Sequence, residues 1–217
     1  MTAPVQDAAA ATLDVRFPLR GDSAPQDYAD PLWRALCMAA PWLQDCPELG
    51  VHPLFGLSPG PGVNYLSRRA RLTLRVDAGR VDALQALAGA RLDVGGHQLE
   101  LGAAEARRLI VMPVLHARCV AVAAAAAIAI GEAEFLAACE GRFAALGMAP
   151  QQMVCGRERR IAVAGGDAFI SGFSLMVAGL GEADNLRLQR LGLGCERRRG
   201  CGVFVAHKSI ASVATLD

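Results

Sequence analysis

The chain has 217 residues, 53% hydrophobic and 20% charged, which excludes a disordered protein and allows one large domain or two small ones. Its formal net charge of +1 excludes a protein that meets polyanions through overall charge alone. The sign lies in the distribution. Lys208 is the only lysine, and arginines cluster at 68–75, 157–160 and 187–199, where planar guanidinium forks suit phosphate better than an ammonium does.

The opening MTAPVQDAAAATLD has neither a basic start nor an apolar core, so no secretory leader is expected and residues 1–10 read as a disordered tail. TLDVRFPLR alternates, with Leu13, Val15, Phe17 and Leu19 on one face and Asp14, Arg16 and Arg20 on the other; this pattern predicts a strand. A helix follows over DPLWRALCMAAPWL, with Asp30 expected as N-cap and Pro31 at the first helical position. GVHPLFGLSPGPG predicts a short strand and then a flexible glycine–proline loop. YLSRRARLTLRV alternates again and sets Leu72, Leu74 and Val76 opposite Arg71, Thr73 and Arg75. DAGRVDALQALAGA predicts a second helix capped by Asp77 and stopped at Gly89. RLDVGGHQLEL closes this half as strand, with a hairpin about Gly95-Gly96.

After a link over residues 103–113 the order repeats. VLHARCVAV reads as a strand that runs into an alanine-rich connection; the apolar run over 119–130 is too short to span a bilayer. GEAEFLAACEGRFAALG is a helix with Phe135, Cys139, Phe143 and Leu146 on one stripe, GRERRIAVAGGDAFISGFSLMVAG a hairpin turning at Gly165-Gly166, GEADNLRLQRLG a helix and GVFVA a last strand. Both halves therefore read β-α-β-β-α-β, which predicts an α+β fold of two tandem ferredoxin-like units, 11–105 and 106–217. Seven scattered cysteines with no C-x-x-C pair point to reduced thiols in a cytoplasm, with no metal cluster. Cys195 and Cys201 are too isolated a pair to suggest a metal site.

Between the last helix and strand lies GLGCERRRGCG, where Gly192, Gly194, Gly200 and Gly202 bracket Arg197, Arg198 and Arg199. A dinucleotide loop needs strand, glycines, then helix; here a helix comes first and a strand follows, so that reading is set aside. Together with GVHPLFG, LSRRARLTLRV and SGFSLMVAGL, this segment resembles the CRISPR repeat-processing endoribonucleases of the RAMP superfamily, MYXAN subtype, over about residues 12–206. The resemblance implies an enzyme without metal or other cofactor that binds the repeats of a precursor transcript and cuts once per repeat to release guide RNAs. It also implies other subunits of a CRISPR surveillance complex as partners, and no membrane. A RAMP-type subunit that binds guide RNA without cutting is the alternative. A small-molecule sensor on the same fold is a further rival, distinguished by having no salt-sensitive RNA affinity.

Metal-free RNA cleavage uses the substrate's 2′-hydroxyl on the neighbouring phosphate, leaving a 2′,3′-cyclic phosphate and a 5′-hydroxyl. Histidine suits the proton transfers and arginine the phosphate charge. Of His52, His97, His116 and His207, the resemblance points to His52, because the family's catalytic histidine sits in this helix-to-strand region. The competing reading makes His52 a loop residue packed on Trp42. Arg68 and Arg69 are expected to supply charge there, and Tyr28, or Tyr65 or Ser67, to orient the reacting groups. By the same resemblance Arg157, Arg159 and Arg160, the glycines and arginines of the last loop, and Lys208 are expected to hold the RNA.

Overall fold

Alternation in the first strand builds the first core. In β1 (Thr12–Arg20) Val15 and Phe17 are fully buried, while Asp14 and Arg16 stand on the opposite face. The computed structural model describes residues 12–123, 130–163 and 168–207. The tail, most of the alanine-rich connection, the Gly165-Gly166 turn and Lys208 lie outside the described residues.

The first half continues with β2 (Ser23–Pro25), α1 (Ala29–Ala39), β3 (Gly50–Val51), β4 (Phe55–Pro59), β5 (Val63–Asp77), α2 (Val81–Gln85), β6 (Arg91–Val94), β7 (His97–Leu101) and β8 (Glu105–Arg108). These strands form one antiparallel sheet, in which β1 lies between β5 on one side and β7 and β8 on the other. Leu32 and Leu36 of α1 and Leu84 of α2 bury against Phe17, Leu72 and Leu74. The second half contains β9 (Val114–Val120), α3 (Glu132–Ala145), β10 (Gln152–Ala162), β11 (Phe169–Ala178), α4 (Glu182–Leu191) and β12 (Val205–His207). Its sheet runs β10-β11-β9-β12, antiparallel throughout, and Phe135, Cys139 and Phe143 of α3 pack on Leu115, Phe173 and Leu175. The α+β class holds, and most of the predicted core residues are buried; Leu13 and Leu146 are only partly so, while Asp14, Thr73 and Arg75 on the opposite faces are buried as well.

Four local expectations are corrected. Asp30 is not the N-cap of α1: Tyr28 is, and Asp30 lies inside the first turn, 1% exposed. Its carboxylate is taken by Arg199 at 2.8 Å and Arg34 at 3.0 Å, and so ties the last loop to α1. The glycine–proline loop is not free: β4 pairs with β5 from Phe55↔Arg71 to Pro59↔Asn64, and the Gly60 N–H donates to Val63 O at 2.8 Å. Gly56 permits this by a bulge, with φ +79 and no room for a Cβ against the Ala70 backbone. Part of the predicted link is strand, because β7 pairs with β1 only at Leu19 and Arg20 and leaves its other end open. β8 fills that edge, Leu13↔Arg108 to Arg16↔Glu105. The last strand starts three residues late, since Gly202, at φ +65, hydrogen-bonds Cys119 and Leu193 instead.

The halves meet through buried polar groups. Arg75 of β5, 1% exposed, donates from Nη1 to Gln189 O on α4 and to Phe204 O, each at 2.7 Å. Asn185 and Gln189 of α4 donate to the carbonyls of Met112 and Ile110, at 2.8 and 2.9 Å, and so fix the link.

Candidate nucleic-acid interface and active site

Three strands put three side chains on one face. Asp14 on β1 and Arg75 on β5 are direct cross-strand partners, and Gly50 on β3 pairs with Arg75 from the far side. Val51 next turns into the core, so His52 turns back to the face of Asp14 and Arg75; its N–H donates to Thr73 O at 2.9 Å. Pro53 has no N–H to continue the pairing. Arg75 grips Asp14 by both oxygens, Nε to Oδ1 at 2.7 Å and Nη2 to Oδ2 at 3.0 Å. His52 Nε2 lies 3.2 Å from Asp14 Oδ1.

The charges follow from this geometry. Burial pushes the Asp14 carboxyl up, but hydrogen bonds from His52 and Arg75 outweigh it, so the group titrates well below the carboxylate range. An ionised carboxylate only accepts, so His52 donates from Nε2. Burial pushes the imidazole below its ordinary pKa and Arg75 and Arg16 add to this, against the upward pull of Asp14. His52 is therefore neutral near pH 7 and its Nδ1, without a partner among the described residues, is free to take a proton.

His52 lines a cleft of about 520 Å³ between the halves. Arg16, Arg71, Arg107 and Arg108 line it from the first half, His116 and Arg118 from β9. Burial lowers the Arg71 pKa, and the like charges of Arg16 and Arg107 lower it further. Of these three, Arg107 alone has an ion-pair partner among the described residues, Glu105 at 2.9 Å; Arg71 lies over the Phe55 ring at 3.7 Å. Guanidinium groups held together against their own repulsion make a site for an anion.

The predicted residues are distributed unevenly. Arg68 and Arg69 do not line this cleft; they are exposed on β5 and border a neighbouring depression shared with Arg16, Arg71 and Arg107. Tyr28 sits behind His52, its hydroxyl accepting the Leu54 N–H at 3.0 Å, and lines a second cavity with Arg118, Arg159, Arg160, Arg199 and Gly200. Arg157 is exposed on β10. The arginines of the glycine-rich loop are not an open row facing RNA. Arg197 turns inward into space left by Gly50 and Gly192, where burial and Arg75 bring its pKa down to about 10. Arg198 donates to Gln44 O at 2.8 Å and lies over Trp33, while Arg199 pairs with Asp30 and Glu196. Arg198 and Arg199 clamp the loop onto α1 and the 3₁₀ turn Pro41–Asp45.

The loop's glycines are structural in the same sense. Gly194 has φ +83, and a Cβ on it would collide with the Ala121 carbonyl. Gly194→Ala is expected to cost about 2–3 kcal/mol, read as a lowered urea midpoint; an unchanged midpoint would show the loop to be loosely held.

Sequence reasoning missed Asp14, Arg75, Arg16, Arg118 and the place of His116 in the cleft. Strand alternation already put Asp14 and Arg75 on polar faces, but only the β1–β5 register makes them partners. Among the described residues, no three His, Cys, Asp or Glu side chains gather so as to hold a metal ion, and no helix is long and apolar enough to cross a membrane.

Between two α+β halves, then, a cleft lined by arginines has room for an anion and holds a histidine whose second ring nitrogen could take a proton. Residues 13–209 match the Cas6 Crispr family, and the chain belongs to that family. It is 35% identical over 193 residues to the CRISPR-associated endonuclease Cas6 of Myxococcus xanthus strain DK1622, covering 89% of this chain and 80% of that relative. A Cas6-related protein from Pyrococcus furiosus superposes with a TM-score of 0.62 at 11% identity, over 91% of this chain and 100% of the other. Thermus thermophilus Cse3, solved with an RNA representing a pre-cleavage complex, gives 0.52 at 15% identity, over 89% and 98%. These two likenesses establish a shared fold.

Proposed function

We propose that the protein is the endoribonuclease that cuts CRISPR precursor RNA within its repeats, with two tandem ferredoxin-like units dividing after β8. The single observation that carries this reading is His52, neutral and fixed by Asp14 and Arg75, at the floor of a cleft lined by arginines. Membership of the family and the likeness to the Myxococcus xanthus endonuclease support this substrate class.

In the proposed step His52 Nδ1 accepts the proton of a 2′-hydroxyl. The O2′–P bond forms, the P–O5′ bond breaks, the leaving O5′ takes a proton from water, and the proton held on His52 returns to solvent. A 2′,3′-cyclic phosphate and a 5′-hydroxyl result. Arg16 and Arg71 face the charge that grows on the phosphate. His52 offers the base and Arg16 and Arg71 the charge that this step needs, so the reaction is proposed to run without metal. Cognate repeat RNA incubated with the protein in excess chelator tests it: a single cut ending in a cyclic phosphate is expected, and RNA bound but uncut would identify a binding subunit instead.

The pH profile follows from the direction of the His52 shift. Its active form is unprotonated and its pKa lies below the ordinary histidine value. Single-turnover cleavage is therefore expected to be flat through neutrality and to fall only in acid, with an apparent pKa below about 6.5. A midpoint above that value would contradict the assignment.

A further inference from the structure

The second cavity, of about 220 Å³, shares only Pro53 and Arg118 with the His52 cleft. Four guanidinium groups face it. Two are already neutralised: Arg160 pairs with Glu158 at 3.0 Å, and Arg199 with Asp30 and Glu196. Arg118 and Arg159 have no carboxylate within ion-pair distance among the described residues, although Asp27 also lines the cavity. The Nε of Arg159 is buried and has no hydrogen-bond partner among them. A buried donor on a charged group is costly to leave unmet, and here it stands beside a second uncompensated arginine. Burial lowers the Arg159 pKa, and Arg118 and Arg157 lower it further. The Tyr28 side chain and the Ala29 end of α1 close the same space, the end of a helix that favours negative charge.

We infer that this cavity is a phosphate seat, built by Arg118 and Arg159 with Tyr28, that holds one backbone phosphate of the bound RNA beside the linkage cut at His52. The placement on RNA rests on the proposed function; the phosphate chemistry does not. Because Arg118 faces both cavities, the seat couples strand position to the cleft: a phosphate held there fixes which linkage reaches His52. Arg160 and Arg199, each with its own acidic partner, shape the walls.

The test uses Arg159→Gln, because Arg159 lines the seat and not the cleft. Affinity is measured for a repeat RNA blocked by a 2′-deoxy group at the cut site, and for a series in which single linkages near that site are made neutral methylphosphonates. Arg159→Gln is expected to weaken binding about tenfold and to lower the salt slope by about one. One neutral linkage should weaken the wild type by a similar factor and leave Arg159→Gln unaffected. Arg159→Lys, which keeps the charge and loses the fork, should recover part of the affinity and so separate the seat from a folding defect. Additive losses at every linkage would overturn the seat while leaving the enzyme reading intact. A second arm needs no RNA: phenylglyoxal labelling of Arg159 should slow when millimolar inorganic phosphate is present. Protection by phosphate in a protein that neither binds nor cuts repeat RNA would keep the seat and overturn the function. Labelling unaffected by either phosphate or RNA would overturn the seat.

Discussion

A His52→Ala protein is expected to bind repeat RNA about as tightly as the wild type and to cut it about 10²–10⁴-fold more slowly. The reason is the division of labour in the cleft. Affinity is expected to come from Arg16, Arg71, Arg107, Arg108 and Arg118 along the cleft, while His52 is the group held neutral with an open nitrogen. His52→Gln separates chemistry from packing, since its amide can still donate to Asp14 but cannot take a proton. Both variants should lose cleavage equally. Single-turnover rates at saturating protein, set against filter-binding affinities, decide the matter; substantial cutting by His52→Gln would remove His52 from the proton transfer.

The second large effect is on stability. Arg75→Met is expected to cost about 3–5 kcal/mol, because it leaves Asp14 a buried anion with only the neutral His52 ring beside it. It also strips the carbonyls of Gln189 and Phe204 of their donor, so the contact between the halves loosens with it. Replacing both partners, Asp14→Leu with Arg75→Met, should recover part of the loss, since two apolar groups leave no orphan charge. Equilibrium urea unfolding of the single and double variants measures this. A double variant no more stable than the two losses added together would show that Asp14 and Arg75 act separately.

How far the sequence foretold the molecule depends on the range of the signal. Period-two and period-3.6 patterns are local, and they located β1, α3, α4 and the β6–β7 hairpin, whose Gly95 and Gly96 both take positive φ. His52 could be singled out by resemblance, but its ring contact with Asp14 could not. What escaped was set by long-range pairing. Asp14 and Arg75 lie 61 residues apart, and only the register of two strands joins them. The packing of the loop arginines also escaped, because a run of Arg197, Arg198 and Arg199 between glycines looks the same whether its side chains face outward or, like Arg198 and Arg199, dock on Gln44, Trp33 and Asp30. Asp30 misled for the same reason: a carboxylate ahead of a helical proline reads as a cap until a distant arginine claims it.

The central claim is that the RNA's own 2′-hydroxyl is the nucleophile and His52 its base. The most direct measurement replaces that one hydroxyl by hydrogen in an otherwise unmodified repeat RNA and follows binding and cleavage together. Unchanged affinity and no cut at that linkage are expected. Cleavage there at the unmodified rate would contradict the claim, since water or another nucleophile would then be doing the chemistry.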